Sequence, residues 1–205
     1  MSRKATPAAK SPRPPVRPNG AAPHEVRIIG GQWKRTKLPV ANKPGLRPTP
    51  DRVRETLFNW LGHDLSGWRC ADLFAGTGAL GLEAASRGAA DVLLVEQDPD
   101  LVAQLRALQG KLDAKGVHVE RGNGLSVLGR LAPQSLDAVF LDPPFDAGLY
   151  EKVLRGACAA IKPDGFVYLE APTAWTDEQL AAHGLAVVRH LKAGAVHAHL
   201  LQRTA

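Results

Sequence analysis

Cysteine is scarce in this chain. Cys70 and Cys158 are the only two in 205 residues, and neither has a C-x-x-C partner, so the sequence indicates neither a disulfide framework nor a zinc cluster. No run of 18 or more apolar residues occurs, which excludes the usual membrane-spanning helix, and the first 30 residues lack the apolar core of a secretory signal. These absences lead to the expectation of a soluble, non-secreted protein in a reducing cytoplasm. His197 and His199 could share one face of a strand, but a metal site needs three or four ligands and no third stands nearby in sequence, so no metal is expected. Acids are nearly missing from the first quarter: residues 1–54 hold 13 of the 26 Lys and Arg but only Glu25 and Asp51 of the 20 acids, for +11, which leaves −5 on residues 55–205. A positive field confined to one end favours a polyanion, and nucleic acid is the economical partner.

What is present divides the chain into three parts. Residues 1–24 carry Arg3, Lys4, Lys10, Arg13 and Arg17 among six prolines with few large apolar side chains, a composition that predicts a disordered basic tail. Residues 25–64 change character. Val26-Arg27-Ile28-Ile29, then Gly30-Gly31, then the run from Gln32 to Val40 reads as two strands about a glycine turn. Trp33 among Lys34, Arg35 and Lys37 has two readings: it stacks on a base while the cations meet phosphates, or it pins the hairpin to the rest of the molecule. A helix follows from Thr49 as N-cap and Pro50 at its first position, with Val53, Leu57, Trp60 and Leu61 on one face and Arg47, Thr49 and Arg52 near its start.

From residue 65 to 205 apolar runs near 70–75, 91–95, 116–120, 136–141 and 165–169 alternate with helical patterns at 79–86, 101–112 and 149–161. Alternating βα units predict an α/β domain with a mostly parallel sheet covered on both faces. Two last runs, 185–191 and 195–202, predict an antiparallel hairpin at one sheet edge. The first strand leads into Asp72-Leu73-Phe74-Ala75-Gly76-Thr77-Gly78-Ala79-Leu80-Gly81, which satisfies G-x-G-x-x-G, and Glu96 ends the second strand twenty residues after Gly76. The glycines allow a tight turn and close ligand approach, and Glu96 can accept from two ribose hydroxyls, so a nucleoside cofactor is expected. Asp72 is placed to meet an α-ammonium and would repel a pyrophosphate, which favours S-adenosylmethionine over NAD.

The fourth strand ends in Asp142-Pro143-Pro144-Phe145. Two prolines forbid a helix directly after the strand, so the Asp142 carboxylate and the Pro143 carbonyl can both face the crevice as acceptors. An exocyclic amine offers two donors to them while Phe145 covers the ring of the base. In a doubly wound sheet the ends of strands one and four flank the switch point, which sets this corner beside Gly76-Thr77-Gly78.

With these motifs in view, Arg27–Trp33, Gly45–Leu61, Asp72–Glu83 and Leu141–Phe145 resemble the bacterial family of small-subunit ribosomal RNA guanine-N2 methyltransferases, over roughly residues 25 to 203. The glycine loop and D-P-P-F corner are shared with many amino methyltransferases, and R-I-I-G-G-Q-W and G-L-R-P-T-P-D-R-V-R-E-T-L-F-N-W carry the narrower likeness. The resemblance implies a class I, Rossmann-like fold with a seventh, antiparallel strand and an N-terminal hairpin-and-helix extension. It implies S-adenosylmethionine as cofactor, held by Asp72, Phe74, Gly76, Thr77, Gly78, Glu96 and Gln97, with Asn123, Gly124, Arg47 and Thr49 completing the site. Asp142, Pro143, Pro144 and Phe145 would act on the amine, and Trp33, Lys34, Arg35, Lys37 and Arg52 would hold RNA, with a guanine presented by the small subunit to a monomer. Asn123-Gly124 departs from the Asp that many class I enzymes place near the adenine, although an amide can still bond it. Two rival readings remain: a DNA or other RNA amino methyltransferase, for whose target-reading segment a chain of this length has little room, and a non-catalytic RNA-binding assembly factor.

Overall fold

The structure is a computed structural model that describes residues 25–43, 45–144 and 147–204. Phe145 and the tail of residues 1–24 therefore lie outside the described residues. After an N-terminal pair, β1 (Glu25–Arg27) and β2 (Lys37–Pro39), and a helix, α1 (Asp51–Leu61), the chain alternates: β3 (Arg69–Asp72), α2 (Ala79–Ser86), β4 (Asp91–Glu96), α3 (Pro99–Lys111), β5 (Val117–Arg121), α4 (Gly124–Leu128), β6 (Leu136–Leu141), α5 (Ala147–Ala160) and β7 (Ile161–Ala171). It ends with a short α6 (Asp177–Ala181) and the hairpin β8 (Leu185–Ala193) and β9 (Val196–Arg203).

Seven strands form one sheet in the order β5-β4-β3-β6-β7-β9-β8. Its first five run parallel, and β9 pairs antiparallel with both β7 and β8. The last strand thus inserts inside the edge, and β8 becomes the rim. Order reverses between β3 and β6, so the crevice opens beyond their carboxyl ends.

Two apolar layers sandwich the sheet. On one side Cys70, Ala138, Phe140, Tyr168 and Leu200 meet α1 and α2 through Leu57, Phe58 and Leu82. On the other, Ala71, Val139, Leu141, Val167 and Leu169 meet α4 and α5 through Val127, Leu128, Val153 and Leu154. Val26, Ile28 and Leu38 of the N-terminal pair are buried in the first layer. The hairpin-and-helix extension therefore shares the core of the sheet.

Two local expectations need correction. The second N-terminal strand is confined to Lys37–Pro39, and residues 31–35 form a turn in which Gly31 and Arg35 have φ of 73° and 72°. The cause is tertiary: the backbone N–H groups of Ile29 and Gly30 donate to the Glu83 carboxylate at 2.7 and 2.8 Å, and Gln32 and Trp33 donate to the Ser86 carbonyl and hydroxyl. These groups of α2 take the bonds that a longer ladder would have used. A Cβ on Gly31 would lie 1.8 Å from the Ser86 carbonyl oxygen, so only glycine fits that contact.

Thr49 is not the N-cap of α1; Pro50 holds that place without a side-chain cap, and the Thr49 hydroxyl points elsewhere. The inward face of α1 also carries a charge. Arg54 is fully buried and donates to the carbonyls of Thr49 and Arg27 and to Asp51, with Glu83 of α2 at 3.6 Å. Burial lowers its pKa against the pull of Asp51 and Glu83. A guanidinium with its donors engaged on three partners is tolerated in a core that would reject a lone charge.

Candidate active site

The site is assembled at the carboxyl ends of β3, β4, β6 and β7. β3 delivers Asp72, which is buried and accepts the Gly81 N–H at 3.0 Å and the Phe74 N–H. Burial dominates its titration and pushes the carboxyl up to about 7. The turn after β3 places Gly76 and Gly78 at φ of 52° and 78°, backbone that glycine adopts without strain. Gly81 is needed for another reason: a Cβ there would stand 2.1 Å from Leu94 Cδ2 and 3.1 Å from the Asp72 Cβ. Thr77 is buried and Phe74 half-buried in the same turn.

At the end of β4 both oxygens of the Glu96 carboxylate are engaged by backbone, with acceptor capacity left over. It accepts the Gly76 N–H at 2.9 Å on one oxygen and the N–H groups of Gln97 and Asp98 at 2.8 Å on the other. Glu96 therefore shapes the glycine turn as well as facing the crevice, while Gln97 is exposed beside it. Asn123 caps α4 by accepting the Ser126 N–H at 3.1 Å on its side-chain oxygen, which leaves its NH2 group as the part able to donate. Gly124 is a packing position, since a Cβ there would lie 2.2 Å from the Leu73 carbonyl oxygen.

β6 ends at Leu141, and Asp142, Pro143 and Pro144 follow without helix or strand geometry. Asp142 is half-buried, Pro143 buried and Pro144 exposed. Burial raises the Asp142 carboxyl well above the usual carboxylate range, and Glu170 and Asp72 add to the rise. Tyr150 of α5 lies near enough for Asp142 to raise its phenol, and the Tyr150 hydroxyl is buried without a partner among the described residues.

Glu170, Tyr168, Tyr150 and Lys43 were not legible as site residues. Glu170 is buried near the end of β7 and accepts the Thr49 hydroxyl at 2.6 Å and the Tyr168 hydroxyl at 2.8 Å on one carboxylate oxygen. Lys43 pairs with Asp98 and Asp100 at 2.6 and 2.7 Å at the start of α3. Between these two anchors Leu46 stands so close to Gly76 that a Cβ on the glycine would meet Leu46 Cδ1 at 3.1 Å. The segment carrying Arg47 and Thr49 is thus a strap across the crevice, with Arg47 and Arg52 exposed beside it. The phrase G-L-R-P-T-P was the available signal, but its anchors lie 55 and 121 residues away in sequence.

The remaining cationic residues are not gathered here. Trp33, Lys34 and Arg35 sit in the turn docked on Ser86, at the far end of α2 from Gly78, about 12 Å along that helix. Trp33 is half-buried against the core, the pinning role of the two readings. Lys37 is exposed and pairs with Glu25 at 2.9 Å. Among the described residues no cluster of His, Cys, Asp or Glu could hold a metal ion, and no helix is long and apolar enough to cross a membrane.

Asp72, Glu96, Asp142 and Glu170 line the crevice, and none of them forms an ion pair with Lys or Arg among the described residues. An unneutralised acidic wall suits a ligand that brings positive charge and repels a pyrophosphate. That donor set fits the ammonium and sulfonium of S-adenosylmethionine.

The chain is similar to known proteins over most of its length. Residues 26–202 match the family model described as conserved hypothetical protein 95. The ribosomal RNA small subunit methyltransferase D of Escherichia coli is 48% identical over 140 residues, 68% of this chain and 70% of that protein. Its namesake from Haemophilus influenzae is 44% identical over 71% of this chain and 78% of its own length. A solved structure, "Putative methyltransferase yhhF from Escherichia coli", superposes with a TM-score of 0.74 at 38% identity, covering 88% of this chain and 99% of that one. The chain has the class I methyltransferase fold and belongs to the conserved hypothetical protein 95 family.

Proposed function

We propose that this protein transfers the methyl group of S-adenosylmethionine to the exocyclic 2-amino group of one guanine in small-subunit ribosomal RNA, in the cytoplasm. The observation that carries the reading is the Asp142-Pro143 corner, whose two acceptors stand at the end of β6, next to β3 and its glycine turn in the sheet. The names of the relatives support an RNA substrate. When bound, the cofactor supplies a methyl on a sulfonium that an in-line nucleophile can take.

This chain's residues do the rest. Asp72 and Glu96 supply acceptors for ammonium and ribose, and the NH2 of Asn123 is free to donate to adenine. Gly76 and Gly78 let the backbone approach. A guanine amine is a weak nucleophile because its lone pair is delocalised into the ring. Accepting both N–H bonds on the Asp142 carboxylate and the Pro143 carbonyl favours the pyramidal nitrogen and stabilises its developing positive charge. Once the amine has accepted the methyl its nitrogen would be acidic, and Asp142 would take its proton. Positioning supplies most of the acceleration. A base paired in a duplex cannot reach the corner, so the target is unpaired or flipped. Arg47 and Arg52, exposed on the strap and the first turn of α1, are the cations placed to hold RNA phosphates at the crevice, while Lys34, Arg35 and Lys37 serve a more distant contact.

The test is transfer of labelled methyl from S-adenosylmethionine to purified small subunits, naked ribosomal RNA and DNA, with the modified nucleoside identified by mass spectrometry. N2-methylguanine in small-subunit RNA is expected. N6-methyladenine or methylated DNA refutes the substrate, and no transfer to any of the three refutes the activity.

A further inference from the structure

We propose that Glu170 is a positioning residue: it governs when Asp142 carries its charge and fixes the end of the strap through Thr49. The sheet register places the two acids together. β6 and β7 pair in parallel with Phe140 opposite Tyr168 and Leu141 opposite Leu169, and Asp142 and Glu170 are the residues that follow directly, close enough for Glu170 to raise the Asp142 carboxyl. Alternation along β7 puts Glu170 on the side of Tyr168 and Phe140, the side on which Asp72, paired with Phe140, also lies, and Asp142 just past β6 is within reach of both acids.

The environments of the two carboxyls differ. Glu170 receives two hydroxyl donors, from Thr49 and Tyr168, whereas Asp142 receives none from a side chain among the described residues. Donors stabilise a carboxylate, so negative charge settles on Glu170 and a proton on Asp142 in the free protein. The groups facing the pair are Asp72 from β3, Tyr168 from β7, Tyr150 from α5 and Thr49 from the strap. None is a cation. His199 of β9 pairs with Leu169 and lies on the opposite side of the sheet, bonded to Trp175 and Leu169.

The consequence rests on the methyl-transfer reading. A protonated Asp142 keeps only a weaker, neutral carbonyl acceptor and has no room for the amine's proton, so the corner is inactive until its own proton leaves. Positive charge entering the crevice lowers the Asp142 pKa and releases it. Glu170 thereby makes the acceptor available only in a loaded site, and the same carboxylate locks the strap that passes over it.

The experiment follows the Asp142 side-chain carboxyl by carbon-13 NMR in the free, full-length protein against pH, with the signal assigned by its loss in Asp142→Asn. Wild-type Asp142 is expected to titrate well above the ordinary carboxylate range. Glu170→Gln keeps an oxygen for Thr49 and Tyr168 but removes the charge, and should lower the Asp142 midpoint by at least about one pH unit, a tenfold change in its ionisation constant. Thr49→Val takes one donor from Glu170, moves the proton toward it and should give a smaller fall in the same direction, which keeps the test open if Glu170→Gln does not fold. An ordinary wild-type midpoint, or no change in the variants that fold, overturns the proposal. This titration needs neither cofactor nor RNA, so a failure of methyl transfer would refute the activity and leave the Glu170 result to be judged by itself.

Discussion

Replacing Asp72 with asparagine should make the free protein more stable at alkaline pH while weakening its hold on the cofactor. The carboxyl is buried, has no cationic partner among the described residues, and is pushed from the ordinary 3.8 up to about 7, chiefly by desolvation. Because the folded-state pKa is raised, its contribution to stability is fully present below about pH 4 and is lost as pH rises through about 7. The rise, at about 1.36 kcal/mol per unit, amounts to about 4 kcal/mol of destabilisation once the group is forced to ionise. Asparagine keeps an oxygen for the Gly81 N–H at 3.0 Å but must place two new donors in a buried setting, which offsets about 1–3 kcal/mol of the gain. The net expectation at pH 8.5 is a variant more stable by about 1–3 kcal/mol, with the advantage gone or reversed at pH 5. Urea unfolding at both pH values measures it, and calorimetry with S-adenosylmethionine should show weakened binding. Identical pH dependence of stability in wild type and variant would refute the desolvation argument.

Asp142→Ala should lower methyl transfer by on the order of a hundredfold or more while calorimetry shows cofactor binding retained, because it removes one preorganised acceptor of the amine. Glu96→Ala should weaken cofactor binding by about 1.5–3 kcal/mol, the usual worth of hydrogen bonds to a charged group; unchanged affinity by calorimetry would remove Glu96 from the ribose site. Gly31→Ala should lose at least about 1–3 kcal/mol in urea unfolding, since alanine is strained at φ 73° and its Cβ would overlap the Ser86 carbonyl. Reversing charge at Arg47 and Arg52 together should reduce the rate on small subunits and flatten its salt dependence more than the same change at Lys34 and Arg35, and the opposite ranking would return RNA recognition to the N-terminal turn.

Local pattern determined much of this protein. Alternating apolar runs and helical periods fix an α/β sheet, and the run Leu136–Leu141 coincides with β6 because a strand buried on both faces is apolar nearly throughout, the half-buried Asp137 near its start being the exception. Gly76, Gly78 and Gly81 were legible because a tight turn and close helix packing leave no choice of residue. The D-P-P corner was legible because two prolines bar regular structure directly after a strand. Only the tertiary structure decided which polar groups meet. Thr49 reads as a helix cap in sequence, yet its hydroxyl belongs to Glu170, 121 residues on; nothing in the spacing marks Arg54, yet it is fully buried and bonded to Arg27 and Asp51. The stretch around Trp33 reads as a strand, but Glu83 and Ser86 take its backbone hydrogen bonds. Hydrophobic periodicity is written residue by residue along the chain, whereas a buried polar atom takes whichever partner the fold brings within about 3 Å, and that distance has no trace in sequence spacing.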